Sequence, residues 1–284
     1  MQNEKDLLQK FIQDALLEDI GDGDHTSLST IPEGKEGEAQ LIIKEEGVLA
    51  GVEVALEIFK AVDADLKVEV FINDGAEVKP KDIALRVKGK VYSILTAERL
   101  VLNTMQRMSG ISTTTHRITK SLEGTSTKVL DTRKTTPNMR FLEKAAVKIG
   151  GGVNHRFGLY DMILIKDNHV DYAGGIKQAL NAAKNYIREK EKNIQIEIEV
   201  RNLNELQEVI ECGEVDRILL DNFDFETLRQ AVRLVDGRFV TEASGGITEQ
   251  NVLQYAQCGV DYVSMGALTH SVKSLDMSLK ALKS

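Results

Sequence analysis

At 284 residues and 31.5 kDa, with 42% hydrophobic and 28% charged residues, the chain can build one large or two modest globular domains, which excludes disordered and fibrous classes. A net charge of −8, 5% aromatic residues and no tryptophan argue against nucleic-acid binding, which needs basic surfaces and stacking rings. The charge is uneven, however: from Arg99 to Lys166 twelve Lys/Arg stand against four Asp/Glu, a cationic patch in an acidic protein.

The first residues carry no basic region followed by an apolar stretch, and no run approaches the roughly 18 apolar residues of a membrane span, so a cytoplasmic protein without membrane contact is expected. Leu7, Leu8, Phe11, Ile12, Ala15 and Leu16 recur at helical spacing, which predicts an amphipathic helix over residues 6–20 closed by Gly21. From Ala39 to Leu95 alternating and β-branched runs separated by Gly and Asn-Asp-Gly turns predict an antiparallel sheet, with a helix over residues 52–61 packed on it. Residues 96–122 read as one long helix. Cys212 and Cys258 stand in neither metal-ligand nor redox spacing and suit thiols of a reducing compartment.

Beyond that helix the pattern becomes a repeat of short apolar strand and helix. Six strands are predicted, over residues 128–130, 162–165, 194–200, 217–220, 239–243 and 262–265, with Gly213 and Gly259 in left-handed positions after helix ends. Roughly 145 residues are too few for an eight-stranded barrel of about 250, so an incomplete six- or seven-stranded α/β barrel is expected. The domains expected are an α+β open sandwich over residues 1–112 and the barrel over 113–284, with a last helix packing back on the first domain.

In α/β barrels the residues just past the strand C-termini converge on the active site. Here those exits are Asp131-Thr-Arg-Lys-Thr135, Lys166-Asp-Asn-His169, Glu197 and Glu199 on the third strand, Asp221-Asn222, Glu242-Ala-Ser-Gly-Gly246 and Gly266-Ala-Leu-Thr269, with Gly150-Gly-Gly-Val-Asn-His-Arg156 between the first two strands. Arg133, Lys134, His155, Arg156 and Lys166 clustered together are costly unless they meet anions, so a polyanionic, phosphorylated ligand is expected. Ser244, Gly245, Gly246 and Gly266 suit a phosphate approached by backbone N–H groups. Glu199 and Asp221 suit a ribose diol or Mg2+. Glu197, which shares a strand face with Glu199, is expected to pair with a lysine across the barrel, outside the site. His169 is expected to order its loop through Asp167 and Asn168, and His25, His116 and His270 to be solvated or hydrogen-bonded.

Asp131-Thr-Arg-Lys-Thr-Thr-Pro137, Gly150-Gly-Gly-Val-Asn-His-Arg156 and Ile165-Lys-Asp-Asn-His169 together resemble the quinolinate phosphoribosyltransferases, as do Thr96-Ala-Glu-Arg99, Leu220-Asp-Asn-Phe223, Ala243-Ser-Gly-Gly-Ile247 and Met265-Gly-Ala-Leu-Thr269. The resemblance implies the sandwich-plus-incomplete-barrel fold, conversion of quinolinate and phosphoribosyl diphosphate to nicotinate mononucleotide, diphosphate and CO2 with Mg2+, and a homodimer with shared sites, further assembly into a hexamer being left open. It makes Lys134, Lys166, Glu199 and Asp221 catalytic, adds Thr132, Arg133, His155 and Arg156 to the substrate cradle, places Ser244, Gly245, Gly246 and Gly266 at the 5′-phosphate, assigns Glu199 and Asp221 to Mg2+, directly or indirectly, and takes Arg99 from the neighbouring subunit. Asn138 departs from the family, which often has Gly there, and residues 211–216 carry one extra residue. Three alternatives stand beside this reading: a protein of the same fold associated with molybdate transport, a Schiff-base aldolase using Lys166, and a phosphosugar-binding scaffold.

Overall fold

The computed structural model describes residues 4–282, which divide into two compact units. One unit runs through His116 and takes back Thr135–Gly151 and the chain from Leu268 onward; the other holds Arg117–Lys134 and Gly152–Ala267. No helix among the described residues is long and apolar enough to cross a membrane.

The first unit begins with helix α1 (Glu4–Ile20), which ends at Gly21, φ 55°. Helix α2 (His25–Thr30) is capped by Asp24, whose carboxylate accepts the Ser27 N–H at 3.0 Å and so satisfies a donor the helix cannot. Strand β1 (Glu36–Ile43), the short β2 (Gly47–Val48), helix α3 (Val52–Val62), strands β3 (Lys67–Val70), β4 (Glu77–Val78) and β5 (Ile83–Lys90), and helix α4 (Val91–Ser121) follow. Gly51, at φ 95°, starts α3 where a Cβ would lie 3.3 Å from Met105 Cα on α4, so the absence of a side chain eases both the left-handed backbone and the approach of α3 to α4. The antiparallel sheet expected between residues 39 and 95 is present, and its order includes a strand from the far end of the chain.

That strand corrects the expected terminal helix. Residues 277–281 pair antiparallel with β1, from Ile43↔Met277 to Ala39↔Ala281. Met277 and Leu279 are buried and Ser278 between them is not, a period of two that places both apolar side chains on the core face while the backbone completes the edge of β1.

The second unit contains six parallel strands: β6 (Lys128–Leu130), β7 (Met162–Ile165), β8 (Gln195–Val200), β9 (Arg217–Asp221), β10 (Val240–Ser244) and β11 (Tyr262–Ser264). The order β6-β11-β10-β9-β8-β7 is a circular walk through the chain with one opening, between β6 and β7, so the structure is an incomplete α/β barrel of six strands. At the opening an isolated bridge joins Leu130 to Val153. In β9 burial on both faces goes with the apolar run Ile218-Leu-Leu220, whereas β8 alternates Ile196, Ile198 and Val200 with Glu197 and Glu199, whose carboxylates face inward and are buried. Gly213 and Gly259 adopt positive φ as expected, and the extra residue before β9 is accompanied by Glu214 at φ 60°.

Between β6 and β7 the chain crosses into the first unit and forms α5 (Arg140–Ile149). Asn138, at φ 64°, is left-handed there, which gives a physical reason for the family's Gly: Gly takes that conformation freely, and Asn tolerates it better than other side chains. Gly150 follows α5, and a Cβ on it would lie 2.5 Å from the Ser112 carbonyl oxygen and 2.7 Å from Thr115 Cβ on α4. Its missing side chain therefore serves helix packing. Gly150→Ala is expected to lower stability by about 1–3 kcal/mol through overpacking, read as a lower melting temperature in thermal unfolding.

Candidate active site

The strand registers place each expected residue. Glu197 pairs with Leu164 and Arg217, Glu199 with Leu219, and Asp221 with Ser244, so Glu199, Asp221 and Ser244 lie on the same inward-facing rows at the C-terminal ends of β8, β9 and β10. Lys166 follows β7 directly and starts α6 (Asp167–Ala173); its side chain is half exposed and its Nζ lies 3.4 Å from Glu199 Oε2. Asp221 Oδ2 accepts a hydrogen bond from the Asn222 amide at 2.6 Å. His169 orders this exit as expected, although through a different partner: its Nδ1 accepts the Lys166 backbone N–H at 2.9 Å.

At the β6 exit Asp131 is fully buried, while Arg133 and Lys134 are exposed; Thr132 Oγ1 accepts the Lys134 N–H at 3.0 Å and tightens the turn. Arg156 is partly buried, and its Nη1 donates to the Met162 carbonyl at 3.2 Å. Asp161 accepts the Phe157 and Gly158 N–H groups at 2.6 and 2.8 Å and fixes the turn that follows. Burial, and next the like charge of Arg133, hold the Arg156 guanidinium below its usual range. The like charge of Arg133 adds to the cost of the Arg156 guanidinium, a cost that an anion bound there would offset.

Beyond β10, Gly245 at φ 93° leaves no room for a Cβ, which would fall 2.9 Å from the Asn222 backbone nitrogen; Gly246, at φ 61°, faces open space. Gly245 thus serves the contact with Asn222, and Gly246 leaves backbone open to an approaching ligand. Arg99 is exposed on α4 in the first unit. His25 lies 3.4 Å from Asp22, His116 3.4 Å from Glu77 and His270 2.5 Å from Ser271, polar surroundings of the kind expected.

Two expectations change. His155 does not offer its ring nitrogens outward: Nε2 lies 2.9 Å from Glu197 and 3.4 Å from Glu242, and Nδ1 accepts the Arg156 N–H at 2.7 Å. Glu197 consequently pairs with a histidine, not with a lysine. Burial disfavours the imidazolium, but the two carboxylates outweigh it and raise the His155 pKa to about 9. The sequence places Glu242 at the fifth strand's exit and Arg217 at the start of the fourth strand, but it foresees neither their pairing, at 2.9 Å, nor the tie to His155. A signal existed, since both fall on inward positions of strands where a charge needs a partner.

An open-sided parallel barrel with a cationic rim beside two carboxylates is the layout of an enzyme handling phosphorylated anions. The chain belongs to the quinolinate phosphoribosyl transferase family: residues 24–109 match the family's N-terminal domain and residues 111–280 its C-terminal domain. It is 47% identical to quinolinate phosphoribosyltransferase (decarboxylating) 1b of Nicotiana tabacum, over 96% of this chain and 82% of that protein. It is 41% identical to a probable carboxylating nicotinate-nucleotide pyrophosphorylase of Bacillus subtilis, over 96% and 92%. The crystal structure of NadC from Streptococcus pyogenes superposes with a TM-score of 0.92 at 38% identity, covering 97% of each chain.

Proposed function

We propose that the protein transfers the phosphoribosyl group of phosphoribosyl diphosphate to the ring nitrogen of quinolinate with loss of CO2, giving nicotinate mononucleotide and diphosphate in de novo NAD biosynthesis. What supports this reading is membership of the family, together with Arg133 and Lys134 following β6, Arg156 in the loop before β7, and Lys166 following β7 with its Nζ 3.4 Å from Glu199. The molybdate-associated, aldolase and scaffold alternatives have no support from these relatives.

Displacement at an anomeric carbon builds positive charge on the sugar and negative charge on the departing diphosphate, so the site's task is charge stabilisation. Arg133, Arg156 and Lys134 hold substrate carboxylates, with Thr132 in the same turn. Ser244, Gly245, Gly246 and Gly266 receive the 5′-phosphate, and Lys166 faces the reacting region. After transfer the pyridinium stabilises the carbanion left by CO2, and a rim lysine, Lys134 or Lys166, supplies the replacing proton. Glu199 and Asp221 are hard oxygen donors on adjacent strands and would hold Mg2+, directly or through ribose hydroxyls; the ion would neutralise diphosphate charge. The reading also includes a homodimer in which Arg99 completes a neighbour's site, and a reducing compartment such as the cytoplasm, suited to two free thiols.

The test is nicotinate mononucleotide formation from quinolinate and from nicotinate, each with phosphoribosyl diphosphate and Mg2+. Quinolinate is expected to react and nicotinate not. A site built for two carboxylates leaves cations unpaired when given one, a penalty of about 2–5 kcal/mol. Equal turnover of nicotinate overturns the assignment.

A further inference from the structure

Inside the barrel, below the rim, lies a set of charges that the transfer chemistry does not use. The Glu197 and Glu242 side chains, on β8 and β10, are 0% and 1% exposed. Arg217, on β9 between them, reaches Glu242 Oε2 with Nη1 and stacks over Tyr262, 4.7 Å from the ring centroid. Both oxygens of Glu197 and Oε1 of Glu242 are buried without a well-aligned hydrogen bond among the described residues, so these carboxylates depend on the charge of Arg217 and on the close ion-pair contacts of His155 Nε2.

His155 ties this interior to the rim. Its backbone N–H donates to Asp131 Oδ1 at 2.8 Å, at the end of β6, and its Nδ1 accepts the backbone N–H of Arg156. With Nδ1 accepting the Arg156 N–H, the ring in this geometry is the neutral Nε2–H form; a second proton on Nδ1 would displace that contact, while Nε2–H stays directed at the carboxylates in either form. The side chain is 7% exposed, so the ring is held from inside.

We propose that Glu197 and Glu242 are positioning residues for substrate binding: by gripping the Nε2 edge of His155 they set the backbone at residues 155–156, and with it the direction in which the Arg156 guanidinium meets an anionic ligand. This deepens the reading of the site given above and rests on it. His155, Glu197 and Glu242 have ligand-type atoms within 4.8 Å of one another, a spacing that a divalent ion could close. The proton at Nε2 and the Arg217 bond to Glu242 occupy the atoms such an ion would need, which favours a positioning network over a metal centre.

A double-mutant cycle tests this in the full-length enzyme. Glu197→Gln and Glu242→Gln keep side-chain size; Glu197→Asp keeps the charge but withdraws it by one methylene, and serves if the Gln variants fold poorly. Each is expected to raise KM for quinolinate about 10- to 100-fold while KM for phosphoribosyl diphosphate and kcat change by less than about threefold, because a misdirected cation weakens one substrate's contacts. In an Arg156→Ala background the same substitutions are expected to leave KM for quinolinate unchanged, since the effect travels through Arg156. Additive effects, or equal rises in both KM values, overturn the proposal. Histidine-labelled wild-type protein gives an independent readout: long-range nitrogen–proton spectra are expected to show His155 protonated at Nε2 and insensitive to a chelator. A deprotonated Nε2 overturns the proposal, and a stoichiometric divalent ion lost on Glu197→Gln overturns it in favour of a metal site. The basic assay on unsubstituted enzyme keeps the outcomes apart: if quinolinate is not a substrate, the function fails; if it is and the cycle is additive, only the positioning role fails.

Discussion

Lys134→Ala and Lys166→Ala each lower turnover by about 10²-fold or more while leaving the melting temperature within a few degrees of the parent. Both lysines sit past the C-terminal ends of barrel strands, where side chains serve chemistry more than stability. Lys134 is exposed, and Lys166 is half exposed with the Glu199 carboxylate at 3.4 Å. Loss of such a solvent-screened contact costs under about 1 kcal/mol of stability. The catalytic cost is larger because charge develops on the sugar and the departing diphosphate only in the transition state, where a pre-placed ammonium needs no reorganisation. Steady-state kinetics with thermal unfolding of each variant check this. Near-normal rates, or a drop in melting temperature without a rate effect, assign these lysines a structural role.

The second large effect concerns Arg99. It lies on α4, ahead of every barrel strand, and belongs by contact to the first unit while the rim residues belong to the second. With a two-fold homodimer, each site combines Lys134 from one chain with Arg99 from the other, so a heterodimer of Arg99→Ala with Lys134→Ala contains one intact site and one doubly damaged site. Each variant alone is expected to be nearly inactive. Co-refolded in equal amounts, they are expected to recover about a quarter of parental activity if chains mix at random. The measurement is activity after co-refolding against the sum of the separate preparations, with heterodimers isolated by two different tags. Activity that stays at that sum, with tagged heterodimers present, shows that Arg99 acts within its own chain or not at all.

Much of the architecture was legible because its signals are local. The spacing of Leu7, Leu8, Phe11 and Ile12 marks α1, the Asn-Asp-Gly turn and alternating runs mark the antiparallel strands, and β6 and β7 begin and end where the apolar runs do. The rim cations were legible for a related reason: once strands are placed in a parallel barrel, the residue after each strand has a known destination. Asn222 illustrates the limit. Its motif could be read, but its left-handed backbone, and Gly245 lying against it, could not.

By itself, then, the amino-acid sequence determined the helices and strands, the parallel repeat, the cationic exits and the family, because helix and strand periodicities and strand-end chemistry are properties of a few neighbouring residues. Tertiary structure alone decided that residues 277–281 close the edge of β1, that residues 135–151 join the first unit, and that Glu197, His155, Glu242 and Arg217 form one buried network. Each of these depends on register between segments far apart in the chain. A shift of one residue in β8 or β10 would turn Glu197 or Glu242 away from the interior, and nothing local to either residue records that choice.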